Sequence, residues 1–139
     1  MAETLQFELV APERLVLSEP VEMVVVPGAE GDFGALPQHS LLISAVRPGV
    51  IDVYQNGNVT HRIFVAGGFA EVTGERCTVL AEEAFPLAEL DAARVSARTA
   101  AARKALDAAA NDEHSRLQAQ RELAVCEAMQ LALEPKAAH

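Results

Sequence analysis

The fold is decided by the stretch VIDVYQNGNVTHRIFVA, which runs from Val50 to Ala66. Two runs rich in β-branched and aromatic residues, Val50–Gln55 and Val59–Ala66, flank the tripeptide Asn56-Gly57-Asn58. Residues of these types favour strands, and Asn-Gly readily adopts the positive φ angles of a tight turn. The stretch therefore predicts a β-hairpin.

Strand patterns continue on both sides of this hairpin. Leu5, Phe7 and Leu9 alternate with polar residues, at the period of two that is typical of a half-buried strand. Further predicted strands combine a mostly apolar run with a turn signal; they are Val21–Val26 before Pro27-Gly28, Leu41–Val46 before Pro48-Gly49, and Phe69–Thr73 with Cys77–Leu80 around Gly74-Glu75. Strands at this spacing, without helices between them, predict an antiparallel β-sandwich over residues 1–85.

The sequence pattern changes at Pro86. Residues 87–133 contain no Gly or Pro and are rich in Ala, the strongest helix former, so we expect a first helix directly after Pro86. Asn111-Asp112 offers a break, Asp112 can cap a second helix, and Pro135 would end it. The predicted fold class is therefore α+β, with the N-terminal β-sandwich followed by a C-terminal antiparallel two-helix hairpin over residues 86–139.

The predicted helices carry only thin apolar stripes. These comprise Leu90, Ala97, Ala101 and Leu106 on the first helix, and Leu117, Ala124, Ala128 and Leu131 on the second. Small residues allow two helices to approach closely, but alanine buries little apolar area. We therefore expect a hairpin of marginal stability that is able to move.

Composition excludes several classes of function. The formal net charge is -9, the pI is about 4.8, aromatic residues make up 4% and Trp is absent. Nucleic-acid binders need a basic face and often aromatic stacking platforms, so no nucleic-acid partner is expected. No basic segment followed by an apolar run begins the chain, and no apolar run approaches the roughly 20 residues that span a bilayer. We therefore expect no signal peptide and no direct membrane insertion.

No motif predicts an active site. Gly28, Gly31 and Gly34 punctuate a segment with Glu30 and Asp32; it lacks the spacing of an EF-hand or a phosphate loop, which favours a tight β-connection that displays two carboxylates. The histidines are dispersed, and the two cysteines, Cys77 and Cys126, are expected to be small apolar residues rather than a metal site. The residues alone therefore predict an interaction module without catalytic residues or bound metal.

The order and spacing of several segments resemble the epsilon subunits of bacterial F-type ATP synthases. The segments that carry this resemblance are Pro27–Ser40 (PGAEGDFGALPQHS), Arg47-Pro48-Gly49, Val65–Val72 (VAGGFAEV), Thr78–Glu82 (TVLAE) and Leu90–Arg94 (LDAAR). The resemblance covers essentially the whole chain. It implies a non-catalytic rotor subunit at the cytoplasmic face of the inner membrane, whose sandwich binds the gamma subunit and the c-ring and whose hairpin can reach the alpha/beta head. The alternatives are a stand-alone enzyme with a sandwich core and an adaptor with some other partner.

The resemblance also implies two sets of site residues. Glu30, Gly31, Asp32 and Phe33 would form a loop that faces the polar loops of the c-ring. Nucleotide-binding family members carry a Leu/Ile-Asp-x-x-Arg-Ala motif, which implies Asp91, Arg94 and Arg98 as candidate nucleotide-binding residues here. Val95 replaces the expected Ala and would crowd the base, so we expect no cofactor and no ATP binding by this hairpin.

The charge of the second helix bears on regulation. In this family a braking hairpin docks on an acidic loop of the head, which favours a basic helix. The second helix instead carries five carboxylates against Arg116 and Arg121; the carboxylates are Asp112, Glu113, Glu122, Glu127 and Glu134. Because like charges oppose binding, we expect a coupling element that inhibits ATP hydrolysis poorly.

Overall fold

The computed structural model describes residues 3–12 and 14–134. Its first part consists of ten strands; they are Leu5–Ala11 (β1), Arg14–Val21 (β2), Met23–Gly28 (β3), Gly31–Ala35 (β4), Leu42–Val46 (β5), Gly49–Gln55 (β6), Asn58–Val65 (β7), Gly68–Val72 (β8), Arg76–Ala81 (β9) and Ala84–Pro86 (β10). A 3-10 turn at Leu87–Glu89 follows, and the helices are Ala92–Ala109 (α1) and Glu113–Leu133 (α2). The predicted order of a strand-rich part and two helices is confirmed.

The strands form one hydrogen-bonded sheet that folds over on itself into a sandwich. Its order is β10-β7-β6-β3-β5-β8-β9-β1-β2, and β4 pairs with β3 off this path. β3 joins two halves of the sheet, β10-β7-β6 on one side and β5-β8-β9-β1-β2 on the other. It pairs with β6 through Met23–Val25 and with β5 only at Gly28. Alternate residues of the strands, among them Leu5, Phe7 and Ile51, meet in one apolar core. This two-layer packing buries one face of each half, as the period-two pattern predicts.

One pairing departs from the antiparallel prediction. β1 lies between β2 and β9, and it runs parallel to β9 from Gln6↔Arg76 to Val10↔Leu80. Local sequence patterns do not reveal this pairing, because strands of both orientations show the same alternation of buried and exposed residues.

The turn predictions are partly right. The hairpin of β6 and β7 is confirmed, and Asn56 (φ 54°) and Gly57 (φ 76°) adopt the positive angles that a tight turn requires. Pro27-Gly28 is not a turn, since it forms the end of β3 and pairs with Asp32 and Gly31 of β4. The chain reverses instead at Ala29-Glu30, and this was missed because a proline at a strand end is compatible with pairing.

The helical part begins later than expected. Leu87–Glu89 forms only a 3-10 turn, and α1 starts at Ala92 after its N-cap Asp91, whose Oδ1 accepts a hydrogen bond from the Ala93 amide at 2.9 Å. Asp112 is the N-cap of α2, as predicted, and its carboxylate accepts a hydrogen bond from the Ser115 hydroxyl at 2.6 Å. That hydrogen bond lowers the pKa of Asp112. Both caps place negative charge where the helix dipole favours it.

The helices pack through different faces from those predicted. The buried residues are Val95, Thr99 and Ala102 on α1, and Ala119, Val125, Cys126 and Met129 on α2. The predicted stripe residues Ala97, Ala101, Leu117, Ala124 and Leu131 are exposed, and Leu90, Leu106 and Ala128 are half-buried. Position 119 lies two residues after 117, about 200° around the helix, so α2 turns its leucines away from α1. The buried faces combine small residues, which allow the helices to approach closely, with Val95, Val125 and Met129.

Contacts between Cα atoms divide the chain into two compact units, with the boundary between Ala88 and Glu89. Within the described ranges, neither helix has the length and apolar composition needed to cross a bilayer. Pro135, which the sequence predicts to end the second helix, lies outside the described residues.

Candidate functional site

An apolar row crosses the outer face of the sandwich. Facing positions on five adjacent strands are all apolar: Ala45 of β5, Phe69 of β8, Leu80 of β9, Val10 of β1 and Leu15 of β2. Neighbouring strands lie about 4.8 Å apart, so the row is about 19 Å wide. We call these five residues the apolar row.

The apolar row is open to solvent. The exposed fractions are 62% for Phe69, 57% for Leu80 and 58% for Leu15, and Ile43, next along β5, is 67% exposed. A contiguous exposed apolar surface of this kind is typical of a protein interaction site.

Sequence reasoning did not identify this face, although a signal was present. β5, β8 and β9 carry apolar residues at consecutive positions, as in Phe69-Ala70 and Val79-Leu80. In a strand with one solvent-exposed face, apolar and polar residues alternate instead. The structure buries Ala70 and Val79 in the core and exposes Phe69 and Leu80. In the predicted strand Leu41–Val46, Leu41 and Ile43 are largely exposed, so this mostly apolar run is not buried on both faces.

The candidate ring-facing residues form the tip of a β-hairpin rather than a free loop. Ala29 and Glu30 make the turn, while Gly31, Asp32 and Phe33 belong to β4. Phe33 is partly buried against the core, so only part of its ring is available to a partner. Glu30 is exposed and makes no hydrogen bond or ion pair with any described residue.

The two carboxylates at this tip differ in their surroundings. An oxygen of Asp32 accepts a hydrogen bond from Nη2 of Arg47 at 2.5 Å, and Nη1 of Arg47 also donates to the Gly28 carbonyl at 2.5 Å. Arg47 was not predicted as part of this site. It follows β5, fifteen residues after Asp32, and only the folding of β5 against β3 brings the two together.

The candidate nucleotide-binding residues lie on the first turns of α1. Asp91 caps the helix through the Ala93 amide, and Arg94 is exposed without a partner among the described residues. Arg98 makes a bidentate ion pair with Glu122 of α2. Val95, in place of the expected Ala, is buried. Of the three polar candidates, Arg98 therefore joins the two helices and Asp91 caps the first one.

The seam between the two helices contains polar side chains as well as small ones. The hydrogen bond from Arg98 lowers the pKa of Glu122 below its ordinary value. Gln130 donates to the Thr99 hydroxyl at 3.1 Å, and that hydroxyl donates to the Val95 carbonyl at 2.7 Å. Such pairs specify how the helices align while adding modest stability.

The cysteines form no disulfide, and each is buried in a different unit. Cys77 lies in the sandwich core, where burial raises the pKa of its thiol to about 12, and burial also raises the pKa of the Cys126 thiol in the helical seam. Among residues 3–12 and 14–134, no group of three His, Cys, Asp or Glu side chains is placed to hold a metal ion.

Comparison with known proteins identifies the family. The family model described as "ATP synthase, Delta/Epsilon chain, beta-sandwich domain" matches residues 4–87. The ATP synthase epsilon chain of Rhodospirillum rubrum is 60% identical over 129 residues, which cover 93% of this chain and 96% of the relative. The chain belongs to the ATP synthase epsilon-chain family. As a member of that family, it is a non-catalytic subunit of the ATP synthase complex.

Further relatives and structures agree with this epsilon-chain assignment. The epsilon chain of Paramagnetospirillum magneticum is 56% identical over 133 residues, covering 96% of this chain and 99% of the relative. A chain of the Euglena gracilis mitochondrial ATP synthase (OSCP/F1/c-ring, rotational state 1) superposes with a TM-score of 0.80 at 26% identity, covering 94% of this chain and 82% of that one. A chain of the Tetrahymena thermophila mitochondrial central stalk and c-ring shares the fold, with a TM-score of 0.68 at 12% identity over 94% and 96% of the two chains.

Proposed function

We propose that this chain is a central-stalk rotor subunit of a proton-translocating F-type ATP synthase, where it couples rotation of the gamma subunit to the c-ring. The sandwich, proposed as residues 1–85, binds these two partners, and residues 86–139 form a separate hairpin. The apolar row is the observation that carries the proposal, because a contiguous exposed apolar face marks an interaction site.

We assign the apolar row to the gamma subunit. A rotor contact must withstand torque, which calls for a large interface on the order of 1,600 Å² in total. The cores of such interfaces are apolar and rich in aromatic residues, and Phe69 and Leu80 lie at the centre of the row with Ile43 beside them. The match in chemistry supports gamma as the occupant of this face.

We assign the β3–β4 tip, from Glu30 to Phe33, to the polar loops of the c-ring. The epsilon-chain family membership and the structural neighbours that contain a c-ring support this assignment. Both carboxylates of the tip are exposed, but Asp32 is already paired with Arg47, which leaves Glu30 for a basic partner. Since the chain has no helix that could span the bilayer within its described residues, these contacts hold it at the cytoplasmic face of the inner membrane as a peripheral subunit.

The hairpin has at most a weak regulatory role in this proposal. Glu122 is occupied by Arg98, but the carboxylates of Glu113 and Glu127 remain exposed and oppose docking on an acidic loop of the head. Because Asp91 and Arg98 have structural partners in the closed hairpin, we also expect this form not to bind ATP.

The test is reconstitution of ATP synthase that lacks this subunit. Full-length chain should restore ATP-driven proton pumping, whereas Leu80→Glu, which puts a charge at the centre of the apolar row, should bind the gamma–c-ring complex at least about 30-fold more weakly. The control is Thr60→Glu, an exposed position on β7 in the other half of the sandwich. Equal binding by Leu80→Glu and the unaltered chain would refute the assignment of the row to gamma.

A further inference from the structure

The β3–β4 tip is fastened to β5 by one strand pair, Gly28↔Val46. Two backbone hydrogen bonds make this pair: the Ala29 amide donates to the Ala45 carbonyl and the Arg47 amide donates to the Pro27 carbonyl, each at 2.9 Å. These two backbone bonds tie the turn of one hairpin to the end of another strand. The end of β3, at the base of the tip, is therefore held by β4 on one side and by β5 on the other.

The side chain of Arg47 extends this attachment across the hairpin. One guanidinium nitrogen donates to the Gly28 carbonyl on β3 and the other donates to the Asp32 carboxylate on β4. A planar guanidinium fixes two acceptors in a defined relative geometry, which an ammonium group does not. Arg47 thus joins both strands of the hairpin to the segment directly after β5.

Close packing on the hairpin adds a second constraint. A Cβ on Gly28 would lie 2.7 Å from the Gly31 carbonyl oxygen and 3.0 Å from the Phe33 ring. The ring of Phe33 therefore packs closely on the Gly28 backbone, whose carbonyl accepts the hydrogen bond from Arg47. The turn residues Ala29 and Glu30 project beyond this fixed base.

We propose that Asp32 and Arg47 form an internal brace that positions the tip, and that Glu30 alone presents a carboxylate to a basic side chain of the partner. The assignment of that partner to the c-ring rests on the proposed function, whereas the brace itself is a property of the free chain. Asp32 and Arg47 are therefore positioning residues, and Glu30 is the contact residue.

The brace is tested in the isolated full-length chain by hydrogen exchange at the Ala29 amide. Asp32→Asn and Arg47→Gln should each speed exchange by about two- to fivefold, in keeping with the strength of a solvent-exposed ion pair. The reversed pair, Asp32→Arg with Arg47→Asp, should recover only part of the protection, because a carboxylate at position 47 cannot donate to the Gly28 carbonyl. Glu30→Gln should leave exchange unchanged. Unchanged exchange in both Asp32→Asn and Arg47→Gln overturns the brace.

The contact role is tested by binding of the same chains to a gamma–c-ring complex at stepped salt concentrations. Glu30→Gln should weaken binding and flatten the dependence on salt, because it removes the charge that the partner meets. The double variant Asp32→Asn with Arg47→Gln, which keeps the net charge, should weaken binding but keep the original salt dependence.

The two arms separate the brace from the proposed function. A salt dependence that flattens as much in Asp32→Asn/Arg47→Gln as in Glu30→Gln overturns the division of roles. If exchange responds as expected while none of the variants changes ring binding, the brace stands and the proposed c-ring contact is refuted.

Discussion

Replacing Phe69 with Ala gives the sharpest test of the apolar row. A fully buried aromatic side chain removes about 200 Å² from water, and 62% of Phe69 is still exposed in this chain. About 120 Å² therefore remains for a partner to cover, and at about 25 cal/mol per Å² this contributes up to ~3 kcal/mol. Since alanine retains part of the contact, Phe69→Ala should weaken binding to gamma by about 30- to 150-fold.

The assay is calorimetric titration of the gamma–c-ring complex with full-length chain. The matched control is Tyr54→Ala, which removes an aromatic ring from the outward face of β6 in the other half of the sandwich and should change affinity by less than about threefold. Thermal unfolding should show both variants folded, because neither ring belongs to the core. Affinity that falls with Tyr54→Ala but not with Phe69→Ala would refute the reasoning.

Four other expectations concern stability and regulation. In urea unfolding, Gly68→Ala should lower the free energy of unfolding by about 1–3 kcal/mol more than Gly31→Ala. Both glycines have positive φ, but a Cβ at Gly68 would lie 1.9 Å from the Leu80 carbonyl oxygen, whereas a Cβ at Gly31 would meet no atom within 4 Å. Glu122→Gln should speed thiol labelling of Cys126 by about two- to fivefold, while Cys77 in the sandwich is unaffected. In the unaltered chain, the pKa of Glu122 is lowered in the folded state, so its ion pair with Arg98 stabilises the hairpin above pH 4.5, the ordinary pKa, and this stabilisation is lost as the pH falls below that value. Circular dichroism should detect the loss as a pH-dependent fall in helix content, and this pH dependence should be absent in Glu122→Gln. Deleting residues 112–139 should change ATPase activity of the assembled complex by less than about twofold, and a many-fold rise would show that the hairpin is a strong brake.

The strands were predictable where the local chemistry allows one conformation. Asn56-Gly57 accepts positive φ at both positions, so the hairpin around it followed from two residues. The chemistry of Pro27-Gly28 suits both a turn and a strand end, and only the pairing of β3 with β4 decides between them. Parallel pairing of β1 with β9 depends on residues far apart in the chain, for which local periodicity holds no information.

The helical seam and the tip were less predictable, for a related reason. A helix offers several faces, and apolarity pointed to Leu117 and Leu131, whereas close packing selected Ala119 and Cys126. The bond from Arg47 to Asp32 joins residues whose sequence neighbourhoods show no sign of each other. Side chains could be assigned to elements from sequence, but their partners across elements required the folded chain.

The position of β1 has a consequence for synthesis on the ribosome. β1 and β2 emerge first and can pair at once, yet the other edge of β1 stays open until β9 has been made, near the end of the sandwich. During translation at about 5–20 residues per second, the nascent chain therefore exposes an unpaired strand edge for several seconds. Such an edge can pair with another chain, so we expect nascent sandwiches to be vulnerable to aggregation until Ala81 has left the exit tunnel.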